Sequence, residues 1–276
     1  MFSSITITGS EGFLGRHLIK YLRAQGYQVT GLTHKALDIT DSEAVLRTMS
    51  SLRPKILIHC AAISSTAYAA LHPDESMAVN VRGCVNLAKA CLETGTDLYV
   101  MSSDQVYGGC TTEGPLGEDI LLSPNNVYGS HKLLMENKVL EIWPQAKVLR
   151  LSWMFEPFNP EKPHTDIISR LTAVREGKDV IKASTREFRG MTRVDDVCKA
   201  ISDSISLIPG GVYNFGAGNP LDTFSTLASI AGSTGIPVDR IIPDDSWGRN
   251  LAMDCSKLNS FNIRFQDTVQ QIVKCL

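Results

Sequence analysis

Three glycines at a strand-to-helix junction constrain this chain more than any other feature of its sequence. Residues 8–15 are TGSEGFLG, after an apolar β-rich run around residues 5–7 and before apolar residues at the helical spacing 18, 19 and 22. Glycine permits a tight turn and a close backbone approach, so the N-terminus of the following helix can meet a pyrophosphate. A plain strand-to-helix connection is the alternative, because a glycine motif alone is weak evidence. The residues of this turn are Gly9, Gly12, Phe13, Leu14 and Gly15.

Strand-like and helix-like patterns then alternate through the first half of the chain. The β-rich runs cover 28–32, 55–59, 98–101 and 148–151, and helical patterns cover 41–51, 74–93 and the residues from 128 onward. Such alternation predicts an α/β fold with a Rossmann-type doubly wound parallel sheet over residues 1–152. The 276 residues, of which 43% are hydrophobic, suffice for one large domain with a smaller appendage.

The alternation loosens after residue 152, and we expect residues 153–276 to form a smaller C-terminal α/β substrate-binding region. Segments at about 190–215 are expected to return to the core. Residues 155–165 contain three prolines and predict a loop at the ligand cleft, and residues 243–248 predict another loop. Helical patterns cover 166–176, 194–207, 224–232, 256–261 and 267–275, with strands near 180 and at 212–215.

Charge and cysteine content argue against several classes of function. A formal net charge of −2 provides no general attraction for nucleic acid or an anionic membrane, which leaves a small-molecule ligand as the default. The seven cysteines show no CxxC or Cys/His ligand spacing, which argues for a reducing compartment and against structural zinc. The apolar runs are too short to span a membrane, and the first strand begins too early to leave room for a signal peptide. We therefore expect a cytoplasmic protein without a metal site, in which the histidines have structural or surface roles: His17, His59, His131 and His164.

The end of the second predicted strand bears on the choice of cofactor. In dinucleotide-binding folds this position meets the adenosine ribose, where an acidic residue favours NAD and a cation favours the 2′-phosphate of NADP. Thr33, His34 and Lys35 stand here, without a carboxylate. The sequence therefore predicts NADP (NADPH), with NAD as the alternative, and Lys35 as the phosphate partner. A solvated loop lysine is the other interpretation of Lys35.

Tyr128 and Lys132 stand four residues apart in a helical pattern. Residues at this spacing lie on the same helix face, so a phenol and an ammonium can reach one bound ligand. A phenol with a reference pKa of about 10 is a poor proton donor or acceptor at neutral pH, whereas an adjacent positive charge favours the phenolate. The pair is a candidate general acid, but in isolation such a pair is more often an ordinary solvated helix face.

Small or polar residues follow two of the buried strands. Cys60, Ala61 and Ala62 end the third strand and leave room for a ligand in the crevice where such sheets bind them. Ser103 and Asp104 end the fourth strand, where polar groups are well placed for chemistry.

Together these motifs resemble the extended short-chain dehydrogenase/reductases over essentially the whole chain and, within them, the dTDP-4-dehydrorhamnose reductase branch. The TGxxGxxG turn, the alanine-rich turn at 60–62, Asn-Val-x-Gly at Asn80, Ser-Asp-x-Val-Tyr at Ser103 and YxxxK at Tyr128 occur in the family's order. Four further segments resemble the branch: LDIT at 37–40, NVYG at 126–129, LRLSW at 149–153 and RNLAMDCSKL at 249–258. The last segment also resembles the related regulatory subunit of methionine adenosyltransferase.

The resemblance implies an NADPH-dependent reductase of a 4-keto-6-deoxy nucleotide sugar. Tyr128 would donate a proton to the carbonyl oxygen, Lys132 would hold the cofactor ribose, and Ser103 would hydrogen-bond the carbonyl oxygen. The resemblance also implies that Asp38 contacts adenine. Besides the glycine turn, the cofactor site would comprise His34, Lys35, Asp38, Ile39, Cys60, Ala61, Ala62, Asn80, Tyr128 and Lys132.

The candidate substrate residues depart in part from the branch. Gln105 stands where the branch usually has an aromatic residue, and where sugar 4,6-dehydratases carry the glutamate needed for elimination. Arginines in the 186–193 segment could bind a substrate diphosphate through their guanidinium forks, or pair with Asp195, Asp196 or Glu187 at the surface. Trp153 could line the sugar site or fill the core. The predicted substrate residues are Asp104, Gln105, Trp153, Arg186, Arg189 and Arg249, with Arg193 as a further diphosphate candidate.

Two other functions fit the same motifs. An NAD(P)-dependent nucleotide-sugar epimerase would purify with tightly held cofactor and consume no net NADPH. A non-catalytic NADP-binding regulatory subunit would keep the fold and motifs while serving a partner enzyme. The intact Ser103, Tyr128 and Lys132 favour catalysis. A homodimer is one candidate assembly.

Overall fold

The computed structural model describes residues 4–158 and 166–276. The predicted loop at 155–165 and His164 therefore lie partly or wholly outside the described residues. The strands are β1 (Ser4–Thr8), β2 (Gln28–Leu32), β3 (Ile56–His59), β4 (Asp97–Ser103), β5 (Lys147–Leu151), β6 (Trp153–Phe155), β7 (Ile181–Arg189), β8 (Met191–Arg193), β9 (Gly211–Phe215) and β10 (Ile241–Leu251).

The α-helices range from one turn to more than four turns. They are α1 (Phe13–Ala24), α2 (Ser42–Leu52), α3 (Thr66–Leu71), α4 (Pro73–Met77), α5 (Cys84–Thr94), α6 (Val127–Ile142), α7 (Ile167–Arg175), α8 (Val194–Ser204), α9 (Thr223–Thr234), α10 (Ser256–Asn259) and α11 (Thr268–Val273). A π-helical turn, Ala78–Gly83, joins α4 to α5, and tight 3-10 turns cover Asp104–Tyr107 and Val238–Arg240.

A six-stranded parallel sheet forms the centre of the molecule, in the order β2-β1-β3-β4-β5-β9. Its inner strands β1, β3, β4 and β5 are buried on both faces by the crossover helices, whereas the edge strand β2 is partly exposed. On β3, Ile58 packs in the cluster with α1 and α8, whereas the preceding Leu57 packs in the cluster with α2, α5 and α6. The predicted Rossmann-type doubly wound fold is confirmed.

The strand order reverses between β1 and β3, and this switch point fixes where a ligand can enter. At such a point the connections leave the sheet in opposite directions, which opens a crevice beyond the carboxyl ends of the strands. The glycine turn follows β1 and the 60–62 turn follows β3, so both predicted ligand-binding turns flank this crevice.

A second lobe contains α7, β7, α9, β10 and α11 around its own apolar cluster, which includes Leu171, Ile181, Ile230 and Ile241. Its two strands, β7 and β10, pair in parallel. The short β6 and β8 pair where the chain passes between this lobe and the central sheet. The boundary at residue 152 stays a prediction.

The predicted loop at 243–248 is wrong, because these residues lie inside β10. Pro243 pairs with Ala183 of β7, and the register shifts between Asp244 and Gly248. Proline is tolerated in an edge strand, where its missing N–H removes no ladder hydrogen bond, and the irregularity accommodates the turn-forming residues. The predicted single helix at 74–93 is likewise divided into α4, the π-helical turn and α5.

Within residues 4–158 and 166–276, no helix is long and apolar enough to cross a membrane. The same residues contain no cluster of three or more histidine, cysteine, aspartate or glutamate side chains that could hold a metal ion.

Candidate active site

The glycine turn after β1 depends on the absence of side chains. Gly9 has φ +67°, and a Cβ there would lie 2.5 Å from the backbone nitrogen of Ala61. A Cβ on Gly15 would lie 2.2 Å from the carbonyl oxygen of Gly9. Gly12 immediately precedes α1 and offers no side chain to cap it. The first backbone N–H groups of α1 therefore face the crevice as potential donors to an anion.

Ser103, Tyr128 and Lys132 converge from β4 and α6, and all three are buried. Asn126 precedes α6 and accepts a hydrogen bond from the backbone of Gly129 (2.8 Å), which fixes the first turn of that helix. The Lys132 ammonium donates to the carbonyl oxygen of Met101 (2.8 Å) and lies 5.7 Å from the centre of the Tyr128 ring. The ammonium is thereby anchored on β4 beside the phenol.

The hydroxyl of Ser103 already has partners at the end of β4. It accepts a hydrogen bond from the backbone N–H of Gln105 (3.2 Å) and donates to Oδ1 of Asp104 (3.2 Å). Ser103 thus caps the tight turn that follows β4, and its proton is directed along the cavity wall.

A cavity of about 500 Å³ lies at the carboxyl ends of β1, β3, β4 and β5. This volume is within the range that binds small molecules and cofactors. It brings together most of the predicted site residues: Gly12, Phe13, Leu14, Cys60, Ala62, Ser103, Asp104, Gln105, Tyr128, Lys132, Trp153, Arg189 and Arg249.

Asn80 lies behind this cavity and acts on a loop. Its Oδ1 accepts from the backbone N–H of Ile63 (3.0 Å), and its Nδ2 donates to the carbonyl of Ile63 (2.9 Å) and to Ser76 (3.1 Å). Both amide hydrogens and one lone pair of the oxygen are thus engaged by protein groups. Asn80 therefore holds the loop that follows β3, where Ala61 and Ala62 lie.

The predicted adenosine-binding residues lie at the end of β2, away from the cavity. His34, Lys35 and Asp38 are exposed, and Ile39 is buried. Asp38 accepts hydrogen bonds from the backbone and the hydroxyl of Thr40 (2.9 and 2.8 Å), and these bonds lower the pKa of its carboxyl group. Asp38 is therefore charged at neutral pH, with one oxygen already engaged.

The arginines of the 186–193 segment have three different environments. Arg186 is exposed and lines a neighbouring cavity of about 680 Å³ instead of the one beside Tyr128 and Lys132. Arg189 pairs with Asp104 at 2.9 Å and stacks over Trp153 at 5.1 Å. Arg193 pairs with Asp196 at 3.1 Å. Of the three, Arg189 alone lines the cavity with Tyr128 and Lys132, whereas Arg193 forms the pair with Asp196 that the sequence offered as the alternative.

Sequence patterns did not reveal a buried network behind the candidate catalytic groups. Glu136 and Arg150 form an ion pair (2.7 Å) whose side chains are 2% and 3% exposed, and Ser102 donates to Glu136 (2.5 Å). Burial opposes the charge on Arg150, but its bonds with Glu136 outweigh burial and raise the pKa of the guanidinium. Glu136 stands four residues after Lys132 and therefore lies on the same face of α6. That spacing is the sequence feature that could have indicated a buried glutamate there. The pair ties the body of α6 to β4 and β5.

A second buried group links three elements around the ligand crevice. The imidazole of His59 is hydrogen-bonded to Thr8 (2.6 Å) and to the thiol of Cys84 (3.0 Å). Burial, reinforced by the charge of Lys132, lowers the pKa of His59 to about 3. His59 is therefore neutral in the folded protein at physiological pH.

Comparison with known proteins places these features in a family. Residues 3–250 match the family model described as the RmlD substrate binding domain. A dTDP-4-dehydrorhamnose reductase from Mycolicibacterium smegmatis is 32% identical over 212 residues, which are 77% of this chain and 62% of that protein. The alignment thus spans less than two thirds of that relative's length.

Two other similarities extend over nearly the whole chain. The methionine adenosyltransferase 2 subunit beta of Rattus norvegicus is 27% identical over 277 residues, which are 94% of this chain and 82% of that protein. The crystal structure of a dTDP-4-dehydrorhamnose reductase from Bacillus anthracis in complex with NADP superposes with a TM-score of 0.87 at 23% identity, covering 99% of this chain and 97% of that one. The resemblance inferred from the motifs is confirmed, and the chain belongs to the RmlD substrate-binding domain family.

Proposed function

We propose that this protein is an NADPH-dependent reductase of a 4-keto-6-deoxy nucleotide sugar. One observation carries the proposal: a single cavity is lined both by residues of the glycine turn and by Ser103, Tyr128 and Lys132. The dTDP-4-dehydrorhamnose reductase activity named for the M. smegmatis relative and the NADP bound by the B. anthracis enzyme support the same assignment.

The residues around the crevice suit a dinucleotide. The backbone at Gly9 and Gly15 leaves no space for a Cβ, and the uncapped start of α1 suits a pyrophosphate. Lys35 would hold the 2′-phosphate, Asp38 would contact adenine, and Lys132 would hold the ribose hydroxyls. NADPH, when bound, supplies a hydride to the carbonyl carbon of the substrate.

In this proposal, Tyr128 gives its proton to the carbonyl oxygen as that oxygen gains negative charge. The Lys132 ammonium, anchored on Met101, stabilises the phenolate that remains. The hydroxyl of Ser103 donates a second hydrogen bond to the same oxygen, for which its proton turns away from Asp104. The buried positions of the three groups limit water around the developing charge.

The test measures oxidation of NADPH in the presence of a panel of 4-keto sugar nucleotides. We expect turnover with at least one of them, and we expect Tyr128→Phe to lower kcat by about 10²- to 10⁴-fold. NADPH affinity should change less than about twofold, because the phenyl ring is retained. Tyr68→Phe is the matched control, since Tyr68 is 41% exposed on α3. Equal loss of turnover and cofactor binding would contradict the role of Tyr128, and silence across the panel would contradict the reductase.

A non-catalytic regulatory subunit is the second candidate. It is favoured by the alignment with methionine adenosyltransferase 2 subunit beta, which covers 94% of this chain, compared with 77% for the M. smegmatis reductase. This candidate predicts NADPH binding, seen as a change in nucleotide fluorescence, without oxidation of any 4-keto sugar nucleotide. It also predicts that Tyr128→Phe leaves binding to the partner enzyme unchanged.

A further inference from the structure

Four acidic and basic side chains alternate in a row beside the catalytic cavity, and three of them line it: Asp104, Arg189 and Arg249. Asp104 pairs with Arg189 at 2.9 Å, Arg189 lies 3.9 Å from Glu187, and Glu187 pairs with Arg249 at 2.7 Å. Asp104 belongs to the turn after β4, whereas the other three lie on β7 and β10. At neutral pH the four formal charges of this row add to zero.

Glu187 is the central acid of the row and is firmly held. Only 5% of the surface of Glu187 is exposed to solvent. One carboxylate oxygen, Oε1, accepts a hydrogen bond from Nε of Arg249 (2.8 Å) and lies 2.7 Å from Nη2 of the same residue. The other oxygen, Oε2, accepts from the hydroxyl of Thr223 (2.9 Å). The carboxylate therefore cannot turn toward water without breaking contacts on both oxygens.

These contacts occupy the side of Arg249 that would best hold an anion. A guanidinium binds phosphate most strongly through two parallel N–H groups, and the Nε and Nη2 pair of Arg249 is already directed at Glu187. Its Nη1 donates to Gln105 at 3.3 Å. In Arg189, Nη2 is bonded to Asp104, whereas the buried Nε has no hydrogen-bond partner among residues 4–158 and 166–276.

We propose that Glu187 is a specificity-determining residue that competes with the anionic part of the substrate for Arg249 and Arg189. The inference rests on the proposed function, which places a nucleotide diphosphate in this cavity. Glu187 partly neutralises the positive charge of the two arginines. The cavity therefore attracts a diphosphate less strongly than it would if both arginines were unpaired. Binding must then depend on the sugar and the base as well as on phosphate charge. The site therefore selects complete sugar nucleotides over free nucleoside diphosphates.

The test measures dTDP binding by calorimetry to the wild-type protein and to Glu187→Gln, without cofactor or turnover. Removing one buried negative charge beside both arginines should tighten dTDP binding about fivefold. The KM for a sugar nucleotide should fall by a clearly smaller factor, because its esterified diphosphate carries less negative charge than that of dTDP. Asp245→Asn is the matched control, because it removes an exposed carboxylate from β10 outside the cavity. Its dTDP affinity should remain that of the wild type.

Two further variants keep the test decisive. In the Arg249→Gln background, Glu187→Gln should give a clearly smaller gain, because the arginine that it would release is gone. Should Glu187→Gln fail to fold, Glu187→Asp keeps the buried charge while withdrawing it from Arg249, and dTDP binding should tighten at least about twofold.

The possible results separate this inference from the reductase proposal. Tighter dTDP binding by Glu187→Gln without NADPH oxidation on any substrate would support the role of Glu187 and contradict the reductase. Unchanged or weaker dTDP binding would overturn the inference, since Glu187 would then only orient the arginines. Absence of dTDP binding in both proteins would overturn it as well.

Discussion

Gly129 lies so close to the carbonyl oxygen of Gln105 that a Cβ on Gly129 would be 2.4 Å from it. Gly129 directly follows Tyr128 on α6, and Gln105 is two residues beyond Ser103 at the end of β4. The two elements that carry the candidate catalytic groups therefore meet backbone to backbone. Their separation is set by the absence of a side chain at one position.

We expect Gly129→Ala to lower kcat of the proposed reductase by about 10- to 100-fold, because the added methyl group must push α6 away from the turn at Gln105. Steady-state NADPH oxidation measures this effect. Gly232→Ala is the control, since Gly232 is exposed in α9 and a Cβ there meets nothing within 4 Å. That control should gain about 0.5–1 kcal/mol of stability. Full turnover in Gly129→Ala would show that the contact does not position Tyr128.

We expect Lys35→Glu to weaken NADPH binding at least about tenfold and to change NADH binding less than about twofold. The exposed lysine at the end of β2 would otherwise face the 2′-phosphate, which NADH lacks. Fluorescence titration with each nucleotide measures both affinities. Lys89→Glu makes the same charge change at an exposed position of α5 and should alter neither. An equal loss of affinity for NADPH and NADH would show that Lys35 does not contact the 2′-phosphate.

Glu136→Gln should lower the free energy of unfolding by about 3–5 kcal/mol, because it leaves the buried Arg150 without its charged partner. Urea denaturation followed by circular dichroism measures the loss. The control is Glu141→Gln on the same helix. The side chain of Glu141 is 69% exposed, so its ion pair with Lys138 contributes less than about 1 kcal/mol. A loss as small as that of the control would mean that Arg150 is compensated elsewhere.

Stability should fall in mild acid through His59. Its pKa is lowered to about 3 in the folded protein by burial and the charge of Lys132, against about 6.5 when unfolded. Below pH 6.5 only the unfolded chain takes up this proton, so each pH unit down to about 3 favours unfolding by about 1.4 kcal/mol.

Urea denaturation at pH 7.5 and pH 5 measures this contribution, which amounts to about 2 kcal/mol at pH 5. His59→Gln should lose less stability than the wild type over that interval by about this amount. His131, whose pKa burial also lowers, contributes equally to both proteins. An identical pH dependence of the two proteins would show that folding does not lower the pKa of His59.

Local sequence patterns predicted well which residues line the cavity beside β1, β4 and α6. The glycine turn, Ser103 and the Tyr128–Lys132 pair each lie at the end of an element whose type could be recognised from a few neighbouring residues. Because the carboxyl ends of parallel strands meet at one edge of the sheet, these separate motifs had to converge. Once the fold was predicted, the residues that line the cavity could be predicted from this convergence.

The pairing of Glu187 with Arg249 could not be predicted in the same way. Arg249 and Glu187 are separated by 62 residues, and they meet because β10 pairs in register with β7. The sequence did not predict β10 because Pro243 and Gly248 are residues typical of turns. Glu187 stood two residues before Arg189 on the same strand face, but its burial depends on the packing of the second lobe.

The chain enters the second lobe, returns to form α8 and β9, and enters the lobe again, so β9 completes the edge of the central sheet beside β5. Residues 1–152 without the rest would lack the strand that pairs with β5 and the helix that covers β1 from one side. Exchanging substrate preference between relatives by recombination therefore requires at least two separate segments to be transferred together. A single crossover near residue 152 would instead combine a sheet from one parent with an edge strand from the other.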